Sequence, residues 1–179
     1  MDPIILSVFG IVLAIGATTI SAGIAIASTG SAMSGSLTER PEVFTRAVIS
    51  VVFAEAIAIY GLLISFLILG SMETIRNTMA LIYSADWVNH IQYITDLSVQ
   101  QGYIALSAGL SIALSGVSAA VGITIAGTAA TGAITEKPEV GFGPIVSVVF
   151  AEALAIYGLL VAFLLLAEIV LPVAPPVFS

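Results

Sequence analysis

Residues Ser50–Leu63 read SVVFAEAIAIYGLL, and residues Ser147–Leu160 read SVVFAEALAIYGLL. The two stretches lie 97 positions apart and differ only at Ile57 against Leu154. Each is apolar apart from a leading serine, one carboxyl (Glu55 or Glu152) and one phenol (Tyr60 or Tyr157). The correspondence continues outward without a gap, pairing Gly35–Leu69 with Gly132–Leu166. Self-similarity of this kind marks a duplicated structural unit.

The surroundings decide what kind of unit it is. Of the 179 residues, 59% are hydrophobic and 8% are charged, where soluble domains carry roughly a quarter charged. That is too little polar surface for a water-soluble globule, so the chain is an integral membrane protein. A formal net charge of -7 argues against a grip on nucleic acid. With no cysteine there is no disulfide framework and no thiolate chemistry, and the single histidine, His90, excludes a multi-histidine metal site.

A membrane-crossing helix needs about 20 mostly apolar residues. Four stretches qualify, from about Pro3 to Ser34, Phe44 to Leu69, Gln101 to Ile134 and Gly143 to Leu171. Thr38-Glu39-Arg40-Pro41-Glu42 separates the first two, and Thr135-Glu136-Lys137-Pro138-Glu139 the last two. Proline among charged residues breaks each helix at a tight polar turn. The expected fold class is an all-α membrane protein of two helical hairpins, over 1–70 and 101–179. The intervening 71–100, with Arg76, Tyr83, Asp86, Trp87, Asn89, His90, Tyr93 and Asp96, reads as an outer linker at headgroup level, an interfacial helix or amphipathic loop with His90 at the surface. Arg40, Arg46 and Lys137 place the turns on the cytoplasmic side by the positive-inside rule.

Both turns have the same sidedness, so the repeats are parallel and related by an axis along the membrane normal. Parallel repeats suit a ring. Gly16, Gly23 and Gly30 recur every seven residues in the first helix, as do Gly102, Gly109 and Gly116 in the third. Small residues let helices approach closely in lipid, and the spacing keeps them near one face. These two helices are therefore expected to form a crowded inner wall, with the Leu-, Ile- and Phe-rich second and fourth facing lipid.

A carboxylate at the bilayer centre costs roughly 2.5–3.5 kcal/mol on insertion scales, so Glu55 and Glu152 are functional candidates by default. No Lys or Arg shares their depth, and desolvation favours the neutral form. A carboxyl that is neutral at rest and ionises on meeting a cation or a water channel is a proton carrier. Tyr60 and Tyr157 fall five positions after each Glu, about 140° round the helix, so neither phenol serves the Glu of its own helix. Each is placed to reach a neighbouring one.

Two parallel hairpins, a glycine-rich first helix, the central Glu and the run AEAxAIYGLL together resemble the proteolipid (c or K) subunit of V-type and archaeal A-type rotary ATPases. The resemblance covers both hairpins. It implies a homo-oligomeric rotor ring in which Glu55 and Glu152 carry ions past a stator membrane subunit (a/I-type) whose arginine supplies the counter-charge. It also implies that Glu39, Arg40, Glu42, Glu136, Lys137 and Glu139 contact the central-stalk subunits. Relatives with sodium-selective sites tend to place Gln on the helices and Ser or Thr beside the Glu. Here Ala56 and Ala153 follow the glutamates, and Ile57 takes the second-helix Gln position. The expected ion is H+ in preference to Na+, with no bound cofactor. Tyr60 is expected to reach Glu152 across the hairpin pair, and Tyr157 to reach Glu55 of a neighbour. Two carriers per chain raise the ions moved per turn, which leans towards a prokaryotic ATP synthase in a cell membrane. A eukaryotic source would place it in the vacuolar or another endomembrane.

Two rival readings use the same residues. A small proton-coupled transporter would carry a substrate cavity lined by aromatic or polar groups beside its Glu, and a structural proteolipid would tolerate loss of both carboxyls. No phosphate loop, nucleophilic triad or metal-ligand cluster is visible, so ATP chemistry is expected to lie in partner subunits.

Overall fold

The computed structural model describes residues 1–84 and 87–172. Four helices account for most of them: α1 (Pro3–Glu39), α2 (Phe44–Ala80), α3 (Ile91–Glu136) and α4 (Val146–Ala167). Each is long and apolar enough to cross a membrane. The α1 start follows from local chemistry. Asp2 caps it by accepting from the Ile4 N–H at 2.8 Å, and Pro3 occupies the first turn, where its missing N–H costs nothing. At the other end Pro41 forces the break, and one turn of 3-10 helix, Pro41–Val43, leads straight into α2.

The second turn is built differently. Gly141 adopts φ +63°, a left-handed backbone that favours glycine, and two short 3-10 turns, Pro138–Val140 and Gly143–Ile145, precede α4. In repeat register, Gly141, Gly143 and Pro144 replace Phe44, Arg46 and Ala47, so α4 starts later than α2.

Within 71–100 the structure extends both flanking helices. Residues 71–80 continue α2 and 91–100 open α3, with short 3-10 turns at Leu81–Tyr83 and Val88–His90 between them. The physical reason is that 71–100 contains neither glycine nor proline, so polarity rises without anything to stop the helix. From Glu55 to Ala80, α2 runs about 38 Å, while half a bilayer with its headgroups spans about 20 Å. The connection closes the molecule at the end opposite the two turns. Trp87 is buried there and stacks on Tyr93 at a centroid distance of 6.2 Å, and His90 is half-buried against the same indole. Asp86 lies outside the described residues.

Helices α1 and α3 pack along each other most extensively, each holds its own hairpin partner, and α2 packs more on α3 than on α4. This puts α1 and α3 in one layer with α2 and α4 flanking them. Two apolar clusters fill the interior. One, nearer the turns, includes Ala25, Ala54, Ile57, Ile123 and Val148; the other, nearer the connection, includes Ala14, Ile64, Ile68, Ile112 and Ala162.

The glycines divide into two kinds. A Cβ on Gly109 would run into the Gly10 backbone, one on Gly102 would lie 2.7 Å from the Pro3 Cα, and one on Gly116 would lie 2.9 Å from the Thr18 Cγ2. Nothing lies within 4 Å of a Cβ on Gly16, Gly23 or Gly30. The α3 stripe is therefore consumed inside the chain, and the α1 stripe faces outward.

Candidate ion-carrying site

Glu152 projects from α4 into the seam with α2 and is 5% exposed. The Tyr60 hydroxyl, on α2, donates a hydrogen bond to its Oε1. Tyr60 is half-buried and packs against both apolar clusters, which hold the phenol in place. The contact joins the two hairpins across 92 positions of sequence. Buried polar groups need such partners, and a phenol is one of the few donors compatible with an apolar seam.

Glycine makes the flanking helices close enough for this. A Cβ on Gly61, next to Tyr60, would collide with the Thr18 hydroxyl on α1, and one on Gly158, next to Tyr157, with the Ser115 hydroxyl on α3. Thr18 donates to the Ala14 carbonyl at 2.7 Å, so its hydroxyl is already used. Gly122 performs a similar service beside the carboxyl, since its Cβ would lie 2.8 Å from that of Ala151. Sequence reasoning passed over Gly61, Gly122 and Gly158. Gly61 and Gly158 carried a usable signal, because they repeat at the same offset as the glutamates.

Glu55 and Tyr157 occupy the repeat-equivalent positions and have no such surroundings. Glu55 is exposed on α2, and Tyr157 is 62% exposed on α4. The chain thus brings Tyr60 to Glu152 and leaves Glu55 and Tyr157 on its surface.

The turn residues singled out from the sequence, Glu39, Arg40, Glu42, Glu136, Lys137 and Glu139, are all exposed at one end of the molecule. Arg40 and Glu42 form a loose surface ion pair at 3.9 Å. Beneath the turns Thr135 donates to Ser36 at 2.7 Å, tying α3 to α1. Arg46 reaches further, donating to the Pro138 carbonyl of the other turn at 2.6 Å. At the opposite end the buried Gln101 amide donates to the Val170 carbonyl at 2.8 Å and holds the segment after α4 against α3.

Comparison with known proteins places this geometry. The family model for the ATP synthase C subunit matches twice, over residues 9–68 and 106–165, the same 97-residue offset. The 16 kDa proteolipid of the human V-type proton ATPase, its c subunit, is 32% identical over 148 residues, covering 83% of this chain and 82% of that one. Its namesake from Nephrops norvegicus is 33% identical, covering 83% and 81%. The V-type proton ATPase c subunit of Candida tropicalis is 33% identical over 156 residues, covering 87% and 84%. Two family matches, one per hairpin, and relatives similar along most of both chains decide between a rotor-type proteolipid and a small transporter. The chain belongs to the ATP synthase C subunit family and holds two copies of the family's helical hairpin in one polypeptide.

Proposed function

We propose that this protein is the membrane rotor-ring subunit of a V/A-type ATPase, with Glu55 and Glu152 each carrying one proton across the membrane. The observation that carries the reading is the Glu152 carboxyl held by Tyr60 in an apolar seam, with the same Glu and Tyr repeated 97 positions away. A carboxyl at membrane depth has a functional role by default, and this one exchanges its proton where a cation and water meet it. The stator membrane subunit supplies that cation, and the exposed turn carboxylates and Arg40 and Lys137 meet the central stalk on the cytoplasmic side. The chain itself contributes no nucleotide chemistry; ATP synthesis or hydrolysis takes place in partner subunits and is coupled through rotation. Its place is a cell membrane, crossed several times.

The choice of proton over sodium is supported by what surrounds Glu152. Its sequence neighbours are Ala151 and Ala153, and the hydrogen-bond partner is a single phenol. Native mass measurement of the detergent-extracted assembly, combined with carbodiimide labelling, tests the reading. A ring of many copies, labelled at both glutamates with loss of proton transport, is the expected result. A dimer, or transport that survives labelling, would overturn it.

A further inference from the structure

We infer that the connection between the hairpins carries a binding site for a sugar, a neutral polyhydroxylated ring seated in the cleft formed by Asn89, His90, Gln92, Tyr93 and Asp96. The site does not depend on how the two glutamates work.

The sequence sets up the cleft. Asn89, Tyr93 and Asp96 follow one another at intervals of four and three residues, and Gln92 precedes Asp96 by four, the spacings that bring side chains together on one helical face. The 3-10 turn Val88–His90 runs straight into α3, so that face is continuous. The result is an open cleft of about 300 Å³ at the end of the molecule opposite the two turns. Tyr93 lines it half-buried and is held by stacking on the buried Trp87, whose indole also meets the His90 ring edge-on at 6.2 Å. Gln92 donates from Nε2 to Asp96 Oδ1 at 3.0 Å, which fixes amide and carboxylate relative to each other. Residues 69–105 fall between the two matches to the family model, so the family's hairpin does not account for the cleft.

The lining is rich in hydrogen-bonding groups and poor in charge. Asn89 and Gln92 bring amides, His90 an imidazole, Tyr93 a phenol and Asp96 the one carboxylate, and none of the five is Lys or Arg. An anion such as phosphate would meet Asp96 with no Lys or Arg to offset the repulsion. A quaternary ammonium calls for an open aromatic face, best an indole, and Trp87 is 6% exposed. An apolar ligand would strip water from these polar groups and return no hydrogen bonds. A sugar ring satisfies the same set. Its hydroxyls both donate and accept, adjacent pairs of them match a carboxylate or an amide, and its C–H face packs on an aromatic ring. The volume lies at the lower end of small-molecule sites, which fits a single ring. The sugar arrives either free in solution or as the headgroup of a lipid, and the lining chemistry is the same for both.

Trp87 is the chain's single tryptophan, so indole emission reports on this cleft alone. The purified assembly, in a detergent without a sugar headgroup, is titrated with the methyl glycosides of glucose, galactose and mannose. Binding is followed by indole emission and by saturation-transfer NMR, which registers a bound hexoside whether or not the indole responds. Saturable binding of at least one hexoside at roughly 1–10 mM is expected, the strength of a small neutral ligand with a few hydrogen bonds. Asp96→Ala and Asn89→Ala replace exposed side chains, and each should weaken that binding, by about 10-fold for the carboxylate. Unliganded emission equal to the parent's shows that the packing around Trp87 is intact in both. Phosphatidylcholine vesicles with and without a monoglucosyl diacylglycerol separate the two sources. An emission change caused by the glycolipid and reversed by methyl glucoside assigns a lipid headgroup, and hexoside binding without a glycolipid response assigns a free sugar. Absence of both, or binding that survives both substitutions unchanged, overturns the inference. Saturable binding of tetramethylammonium or inorganic phosphate in place of the hexosides overturns it in favour of an ionic site.

Discussion

Arg46 donates to the Pro138 carbonyl, and the residue that holds Arg46's place in the second hairpin is Gly143. The two turns of one chain are therefore clasped, while no arginine extends from the second turn to a following copy. The clasp carries a charged donor and is half-buried, so it is worth about 1–2 kcal/mol. Arg46→Ala should leave the helices folded and raise amide exchange over residues 137–145 by about 5- to 30-fold. Exchange confined to the first turn would show that the bond does not stabilise the second.

The two glycine stripes differ in what a methyl group would meet. Gly109→Ala drives a Cβ into the Gly10 backbone, which no rotamer change relieves. Overpacking of this sort costs about 1–3 kcal/mol or more. Gly23→Ala adds a methyl to open space and gains helix propensity, up to about 1 kcal/mol. In thermal unfolding of the detergent-solubilised single chain, Gly109→Ala should melt well below the parent and Gly23→Ala at or above it. Equal melting would mean that α1 and α3 do not meet at Gly10 and Gly109.

Much of this arrangement was legible before any coordinates. The 97-residue offset placed both turns, and the 140° separation on a helix showed that Tyr60 must serve a carboxyl other than Glu55. The glycine stripes show where legibility ends. Gly16 and Gly109 sit in stripes of the same seven-residue period, and periodicity identifies a face without saying which helix covers it. The helix ends show a second limit. Hydropathy falls after Leu69, yet nothing in Ser71–Ala80 breaks the backbone, so α2 continues to Ala80. Hydropathy reports the solvent, and only glycine, proline and caps report the end of a helix. The Arg46 clasp needed the two turns to be neighbours, which is tertiary information.

Both glutamates carry ions on the proposed reading, so each is needed. Glu55→Gln and Glu152→Gln preserve shape and remove the exchangeable proton. Each should abolish most ATP-driven proton uptake in reconstituted vesicles while the ring still assembles. Full uptake in either variant would show that its site is vestigial and that the chain works with one carrier.

On the proposed reading the ion is a proton, because the side-chain hydrogen bond recorded at Glu152 is a single one from a phenol. Sodium has to exchange its water shell for several ligands, and the Tyr60 phenol is the side-chain partner present. Two α3 hydroxyls that meet α4 are engaged at a different level. Ser111 donates to the Gly158 carbonyl at 3.2 Å, and Ser115 donates to the Ile112 carbonyl while packing at Gly158. Six residues separate Glu152 from Gly158, about 9 Å along the helix, too far for a shared coordination shell. A proton needs only the carboxyl. Carbodiimide labelling of both glutamates should be indifferent to sodium at every pH. Protection by sodium at neutral pH, absent with potassium, would reverse the assignment and require ligands contributed by an adjacent copy.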